Sequence, residues 1–400
     1  MIEMDSSSLY PFIYNVSVLY FPPKIIFGPK VIDRIGDEIL QFRGSNVLVV
    51  TDETMVKIGN VDRIKDILKK KGVKVEVYDK VEPDPHVETA NDVAKLARKR
   101  EFDIVVGLGG GSSMDTAKVA SIAKQNKGSV SRYVGADKVR EKGLPLLLVP
   151  TTSGTGSEVT PYAIFTVGEK KGAIVSHYIV PDIALVDPLL TISMPPKVTA
   201  GSGLDALSHA IESMISLWST PLTDGLALEA IRLISKYLRA AYNQSKNFKA
   251  RCYMALAATT AGLSFSSPRV VYGHSVAQTF APLYQVAHGT SCAIALPYIM
   301  DFYLPVSTSK LANIARAMGE PVEDKSTREA AVMAVQAVYQ LTQDLNIPRL
   351  RDLGVTQDQL PSLAEACISD WPRPNSPRQF TKEAALAVFE NMWECKFSTY

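Results

Sequence analysis

Along the first half of the chain, short apolar runs alternate with segments whose apolar residues recur every three or four positions. NVLVVT (46–51) reads as a buried strand, and VKVEVYD (73–79), DIVVGL (103–108), PLLLVP (145–150) and DIALVD (182–187) read as further strands. Between them, VDRIKDILKKKG (61–72) gathers its apolar residues on one helical face, and HVETANDVAKLARKR (86–100) reads as the next helix. A single helix between successive strands returns the chain to start the next strand in the same direction. This half therefore predicts a doubly wound, mostly parallel α/β sheet. VSVLYF (16–21) and IIFG (25–28), flanking Pro22-Pro23-Lys24, read as a hairpin leading into it.

Past residue 188 the strand-like runs stop and long Ala/Leu/Met-rich stretches follow, notably 223–242 and 250–265, with further helices expected at 309–318, 327–345 and 380–395. Turn-rich DPLLTISMPP (187–196) is the natural boundary. The expected organisation is an α/β domain over residues 1–188 and an all-helical domain over 189–400.

Composition narrows the function classes. Basic and acidic side chains number 43 and 41, giving a net charge of +2 with both signs mixed along the chain, so neither nucleic acid nor an anionic membrane finds a basic face. The four cysteines, Cys252, Cys292, Cys367 and Cys395, form no CxxC pair and read as free thiols in a reducing compartment. The opening MIEMDSSSLYPF has acids and serines where a secretory signal has a basic start and an apolar run, and no stretch reaches the length of a membrane helix. A cytoplasmic protein is expected.

Two loops after strands carry candidate chemistry. GLGGGSSMDTAK (107–118) puts Gly109, Gly110 and Gly111 where backbone can approach a ligand, then opens a helix whose free amides and dipole favour phosphate, with Ser112 as N-cap. The same residues also fit a plain tight turn in which Ser112 and Asp115 form a capping box. The third glycine of the usual dinucleotide fingerprint is absent, as is the acid some twenty residues later. Asp52, directly after a strand, can instead accept from a ribose 2′-hydroxyl and repel a 2′-phosphate. The second loop, PTTSGTGSEVT (150–160), offers Thr151, Thr152 and Thr155 to phosphates or a nicotinamide.

Only five histidines occur in the chain. Asp205 and His209 are four apart, hence on one face if helical, although a capping box of Asp205 with Ser202 is the alternative. GHSVAQTFAPLYQVAHG (273–289) holds His274 and His288 on either side of Pro282, which no continuous helix accommodates cheaply, so the two come from separate elements. One carboxylate and three imidazoles suit Fe²⁺ or Zn²⁺ with room for an exogenous oxygen. His86 reads as a loop residue, and His177 has no visible partner.

GGGSSMDTAK, PTTSGTGSEVT, PDIALVDPLL (181–190), GLDALSHAIES (203–213) and the two-histidine stretch together resemble the iron-dependent (group III) alcohol dehydrogenases from about Phe21 to the C-terminus. The resemblance implies a dinucleotide-binding α/β domain followed by a helical metal domain. It implies Asp205, His209, His274 and His288 as metal ligands, with Fe²⁺ favoured over Zn²⁺. Gly110, Gly111 and Ser112 would hold the pyrophosphate in a coenzyme-binding turn that also includes Gly109 and Asp115, Thr151, Thr152 and Thr155 would lie near phosphates and nicotinamide, and Asp52 would select NAD over NADP. The family usually carries a further histidine near the substrate, four residues after His274, where this chain has Gln278, which cannot titrate. The implied reaction is reversible hydride transfer between a primary or secondary alcohol, or its aldehyde or ketone, and NAD, in a homodimer. Weaker readings are a dehydroquinate synthase-like lyase, a hydroxyacid-oxoacid transhydrogenase and a non-catalytic nucleotide-binding subunit.

Overall fold

A computed structural model describes residues 18–168, 170–369 and 373–398. They divide into two compact units, one of Tyr20–Met194 and one from Pro195 onward that also takes in Val18 and Leu19. The division falls inside DPLLTISMPP.

The first unit holds β1 (Lys24–Phe27), β2 (Asn46–Val50), β3 (Lys74–Tyr78), β4 (Ile104–Gly109), β5 (Gly135–Ala136), β6 (Leu146–Pro150), β7 (Tyr162–Val167), β8 (Lys170–Val175) and β9 (Ile183–Val186). Its helices are α1 (Ile35–Gln41), α2 (Glu53–Lys57), α3 (Asn60–Lys70), α4 (Val87–Lys99) and α5 (Gly111–Ile122). Six strands form one parallel sheet in the order β1-β9-β6-β4-β2-β3. Central β2, β4, β6 and β9 are apolar on both faces because helices cover both. Val47, Val49, Ile104, Val106, Leu147 and Val149 face α1 and α3 through Ile35, Ile39, Ile64 and Leu68. Their neighbours Leu48, Val50, Val105, Leu146 and Leu148 face α4 and α5 through Val93, Ala97, Ala117 and Ala120. The two-residue period of the strand thus assigns alternate side chains to two separate cores.

The chain steps outward from β2 to β3, then crosses back to β4 on the other side of β2 and continues to β6 and β9. The direction of winding therefore reverses between β2 and β4. Loops leaving the carboxyl ends of these two strands diverge and leave room for a ligand.

The hairpin expected around Pro22-Pro23-Lys24 does not form. Val18–Pro23 has no strand pairing, and β1 lies parallel to β9 at the sheet edge, Lys24 level with Ile183 and Phe27 with Val186; Val16 and Ser17 lie outside the described residues. Two successive prolines contribute no amide hydrogens to a ladder, so the chain cannot pair up to that turn. A hairpin forms instead where none was expected: β7 and β8 are antiparallel, and β5 joins β8 in a small second sheet. β8 opens with Lys170, Lys171 and Gly172 and so offers no continuous apolar run to read as a strand.

The second unit contains α6 (Pro196–Ile215), α7 (Pro221–Asn243), α8 (Phe248–Phe265), α9 (Tyr272–Phe280), α10 (His288–Met318), α11 (Thr327–Asp344), α12 (Leu360–Ile368) and α13 (Lys382–Glu394). Helix α6 starts with proline at its first position, where no donor is lost, and is buried throughout 203–215. The helix expected at 309–318 is the end of the much longer α10, whose Pro297 and Pro305 hid it; a kink with non-helical backbone at Ser307 takes up the break. Among the described residues, no helix is long and apolar enough to cross a membrane.

Gly107 marks the tightest contact between sheet and helix. A Cβ there would lie 2.6 Å from Leu148 Cδ2 and 2.7 Å from Ala117 Cβ. Gly107→Ala is expected to destabilise the protein by about 2 kcal/mol through overpacking, read as a lowered urea midpoint at unchanged slope.

Candidate metal and coenzyme sites

Helix α6 presents Asp205, His209 and Glu212 at positions i, i+4 and i+7, one stripe along a helical face. All three are buried, Asp205 and Glu212 at 1 % exposure. Burying two carboxylates in an apolar helical core is costly unless each meets a partner. Helix α9 supplies the first: His274 Nδ1 lies 2.6 Å from Glu212 Oε1. The tautomer with the proton on Nδ1, donating to that carboxylate, turns the lone pair of Nε2 toward Asp205, whose Oδ1 is 3.8 Å away. Helix α10 begins with His288, whose Nε2 is 3.6 Å from the same Asp205 oxygen. His274 and His288 thus come from two helices separated by the turn that contains Pro282. Asp205 lies in mid-helix and forms no capping box with Ser202.

Glycines permit this convergence. A Cβ on Gly273 would meet Glu212 Oε1 at 2.6 Å, and a Cβ on Gly289 would meet the Gly201 carbonyl oxygen at 2.4 Å and Asp205 Cβ at 3.2 Å. The start of α10 therefore crosses α6 with backbone against backbone, one turn before Asp205.

The geometry adds Cys292 to the side chains that could hold a cation. Asp205, His274, His288 and Cys292 each offer one donor atom, all within 4.8 Å of one another. His209 sits beside this group, its Nδ1 4.0 Å from Asp205 Oδ2 and its ring stacked between Phe265 at 4.2 Å and His274 at 4.7 Å. Asp205 Oδ1 and His274 Nε2 are buried without a hydrogen-bond partner among the described residues. A cation held between them would satisfy both, so the donor set fits a divalent metal. Burial works to raise the Asp205 carboxyl, yet the His209, His288 and His274 rings outweigh it and hold the group below its ordinary value. Burial likewise depresses His274, but Glu212 and Asp205 reverse the sign and the ring is shifted upward. Gln278 lies on α9 one turn beyond His274 and is half-buried.

Glu212 and Cys292 were not singled out from sequence. Both carried a signal: Glu212 completes the 205–209–212 stripe, and Cys292 follows His288 by one helical turn.

In the other unit, Asp52 ends β2 and caps α2, its Oδ1 accepting from the amides of Thr54 at 2.9 Å and Met55 at 3.2 Å. Its Oδ2 accepts from Ser113 Oγ at 3.1 Å, which ties it to the glycine turn after β4 across the winding reversal. Gly109 has φ +145, and a Cβ on it would strike Ser113 Oγ at 2.6 Å. The capping-box reading of this turn fails: α5 starts at Gly111 with Gly110 as N-cap, so Ser112 lies inside the first turn, half-buried. The threonine loop closes over the turn. Thr151 N–H donates to the Gly109 carbonyl at 2.9 Å, Thr152 Oγ1 would lie 3.5 Å from a Cβ on Gly110, and Thr155 Cγ2 would lie 2.7 Å from one on Gly111. The turn, Asp52 and the half-buried Thr152 and Thr155 form one cradle at the carboxyl end of the sheet, suited to a dinucleotide pyrophosphate.

Asp115 is turned into the protein. Its Oδ1 accepts from Ser157 Oγ at 2.6 Å and its Oδ2 from the Ile164 amide at 2.9 Å. Fully buried Lys118 donates to Ser157 Oγ at 2.9 Å and to the Tyr162 carbonyl at 2.6 Å, 3.7 Å from Asp115. Burial brings the Lys118 amine down to about 8 and pushes the Asp115 carboxyl up. This pair holds α5 to the threonine loop and to β7. His86, the residue before α4, is exposed and 3.4 Å from Glu82, whereas His177 stacks on Tyr20 at 5.5 Å and lies tilted against Tyr178 at 3.9 Å.

Residues 22–188 match the family described as iron-containing alcohol dehydrogenase, and residues 199–393 match its C-terminal domain. The chain is 38% identical over 358 residues to long-chain-alcohol dehydrogenase 1 of Geobacillus thermodenitrificans (strain NG80-2), covering 88% of this chain and 91% of the relative. The crystal structure of a 1,3-propanediol oxidoreductase superposes with a TM-score of 0.91 at 36% identity, over 94% of this chain and all (100%) of that one. Sulfoacetaldehyde reductase from Bifidobacterium kashiwanohense, solved in complex with NAD+, superposes with a TM-score of 0.86 at 30% identity over 95% of this chain and 99% of that one.

If Glu212 orients His274, Glu212→Ala lowers the affinity for divalent metal about 10–100-fold, and Glu212→Gln, which keeps a hydrogen-bond acceptor, loses less. Competition against a chromophoric chelator measures both; equal affinity in all three proteins would contradict the role.

Proposed function

This chain belongs to the iron-containing alcohol dehydrogenase family, and from that premise we propose how its residues divide the work of an alcohol:NAD oxidoreductase. When bound, a divalent cation polarises the alcohol oxygen and the nicotinamide ring accepts the hydride. Fe²⁺ is the cation this reading favours, since oxygen and imidazole donors accept it and the family takes its name from it. Asp205, His209, His274 and His288 hold the cation, and Glu212 fixes the ring of His274. The observation that carries the reading is the buried, unbonded pair Asp205 Oδ1 and His274 Nε2, 3.8 Å apart.

On the coenzyme side, the amides of Gly110, Gly111 and Ser112 receive the pyrophosphate at the start of α5, with Thr151, Thr152 and Thr155 along the adjoining loop. Asp52 accepts from the ribose 2′-hydroxyl; a 2′-phosphate would meet a carboxylate, which favours NAD over NADP. Gln278, one turn from His274, can position a substrate hydroxyl through its amide but cannot take its proton. With coenzyme bound, proton release would fall to water or to the ribose hydroxyls rather than to Gln278. The substrates are alcohols and their aldehydes or ketones. A homodimer in a reducing, cytoplasmic compartment completes the reading, supported by the edge position of β1 beside exposed Tyr20, Phe21 and Ile25 and by four free cysteines.

His274→Ala is expected to abolish metal retention and turnover while leaving NAD binding intact, checked by metal analysis, alcohol-dependent NADH formation and coenzyme titration on one preparation. Full activity in a metal-free variant would refute the assignment. Asp52→Gly is expected to reduce the preference for NAD over NADP about tenfold, the worth of one charge-assisted hydrogen bond, measured as the ratio of kcat/KM for the two coenzymes.

A further inference from the structure

We propose that Cys292 is a sulfur ligand of the bound cation, so that this chain holds its metal through a mixed oxygen, nitrogen and sulfur set. The inference rests on the metal-site reading above and adds to it a donor that the expected carboxylate and three imidazoles do not include.

Three separations in the group are close to those between donors that share one cation. Asp205 Oδ1 is 3.8 Å from His274 Nε2 and 3.6 Å from His288 Nε2, and Cys292 Sγ is 3.7 Å from His288 Nε2. With metal–nitrogen and metal–oxygen bonds of about 2.1 Å and a metal–sulfur bond of about 2.3 Å, tetrahedral donors stand roughly 3.4–3.6 Å apart. All four donor atoms lie within 4.8 Å of one another, close enough to converge on one cation by side-chain rotation. Cys292 is buried at 2 % exposure and lies one turn after His288 on α10, so one rigid helix fixes both donors. Its side chain also interacts with the Asp205 carboxylate, so the sulfur stands beside both an imidazole and a carboxylate of the group. The unbonded, buried Asp205 Oδ1 and His274 Nε2 face the same point.

Coordination replaces the S–H bond with a metal–sulfur bond and releases one proton to solvent, with no change of oxidation state. A thiolate donor shifts preference toward thiophilic cations, Zn²⁺, Co²⁺ and Cd²⁺, relative to Mn²⁺ or Mg²⁺.

The test is optical. Full-length protein stripped of metal is loaded with Co²⁺ in four forms: wild type, Cys292→Ser, His274→Ala, and a triple variant with Cys252, Cys367 and Cys395 each changed to Ser. Wild type and the triple variant are expected to show the visible bands of low-symmetry cobalt together with a near-ultraviolet sulfur-to-cobalt charge-transfer band. Cys292→Ser is expected to keep the visible bands and lose the charge-transfer band, and to lose about tenfold in Cd²⁺ affinity relative to Mn²⁺. Visible bands without charge transfer in the wild type, or charge transfer surviving in Cys292→Ser, would overturn the sulfur ligand and leave the metal site standing. Should Cys292→Ser not fold, the wild-type and triple-variant spectra decide alone. No cobalt bands in the wild type, or His274→Ala spectra matching it, would overturn the metal-site reading and this inference with it.

Discussion

Two carboxylates on one face of a buried helix set the terms for the whole helical unit. Asp205 and Glu212 lie seven residues apart on α6, both walled off from water, and neither can stay ionised there without positive or hydrogen-bonding partners. No lysine or arginine is among the groups that hold the Asp205 carboxyl down; they are the His209, His288 and His274 rings and the Cys292 side chain. Helix α9 must bring His274 onto Glu212, and α10 must bring His288 to within reach of Asp205. Each approach requires a glycine, Gly273 against Glu212 and Gly289 against Gly201, because a methyl group there would occupy space the partner already fills.

The α/β unit solves a different problem with similar economy. Its strands are sandwiched between helices, so their alternate side chains commit to opposite cores, and polar chemistry is confined to strand ends. Asp52 and the glycine turn occupy the ends of the two strands at which winding reverses, and one hydrogen bond from Ser113 joins them. Beneath them, the Lys118–Ser157–Asp115 network fastens the turn to the neighbouring loop. A positive and a negative group that burial would each neutralise are held together by shared hydroxyls and backbone.

Most of the sheet was readable in advance because buried parallel strands are continuous apolar runs, and their neighbours are periodic helices. Reading failed where apolar content and element type part company. β8 begins with two lysines and a glycine, and its pairing with β7 rests on cross-strand backbone rather than on pattern. α10 contains two prolines that ordinarily end a helix, and only the tertiary kink at Ser307 reconciles them. At the metal site the histidines were conspicuous because they are scarce, whereas Glu212 looks like any helical glutamate. Its meaning depends on a ring arriving from residue 274, a contact that local spacing does not encode. Asp115 misled in the opposite direction: its place in a glycine-rich motif suggested a coenzyme contact, but both its oxygens are occupied within the fold.

The crossing of Gly289 over Gly201 joins the assembly of the donor cluster to the docking of three helices that are distant in sequence. An ion captured there would touch α6, α9 and α10 at once, so its binding would be linked to the stability of their packing. The loaded protein gains RT ln(1 + [M]/Kd) over the empty one. Supply of the ion would thereby bear on the persistence of the folded chain as well as on its turnover.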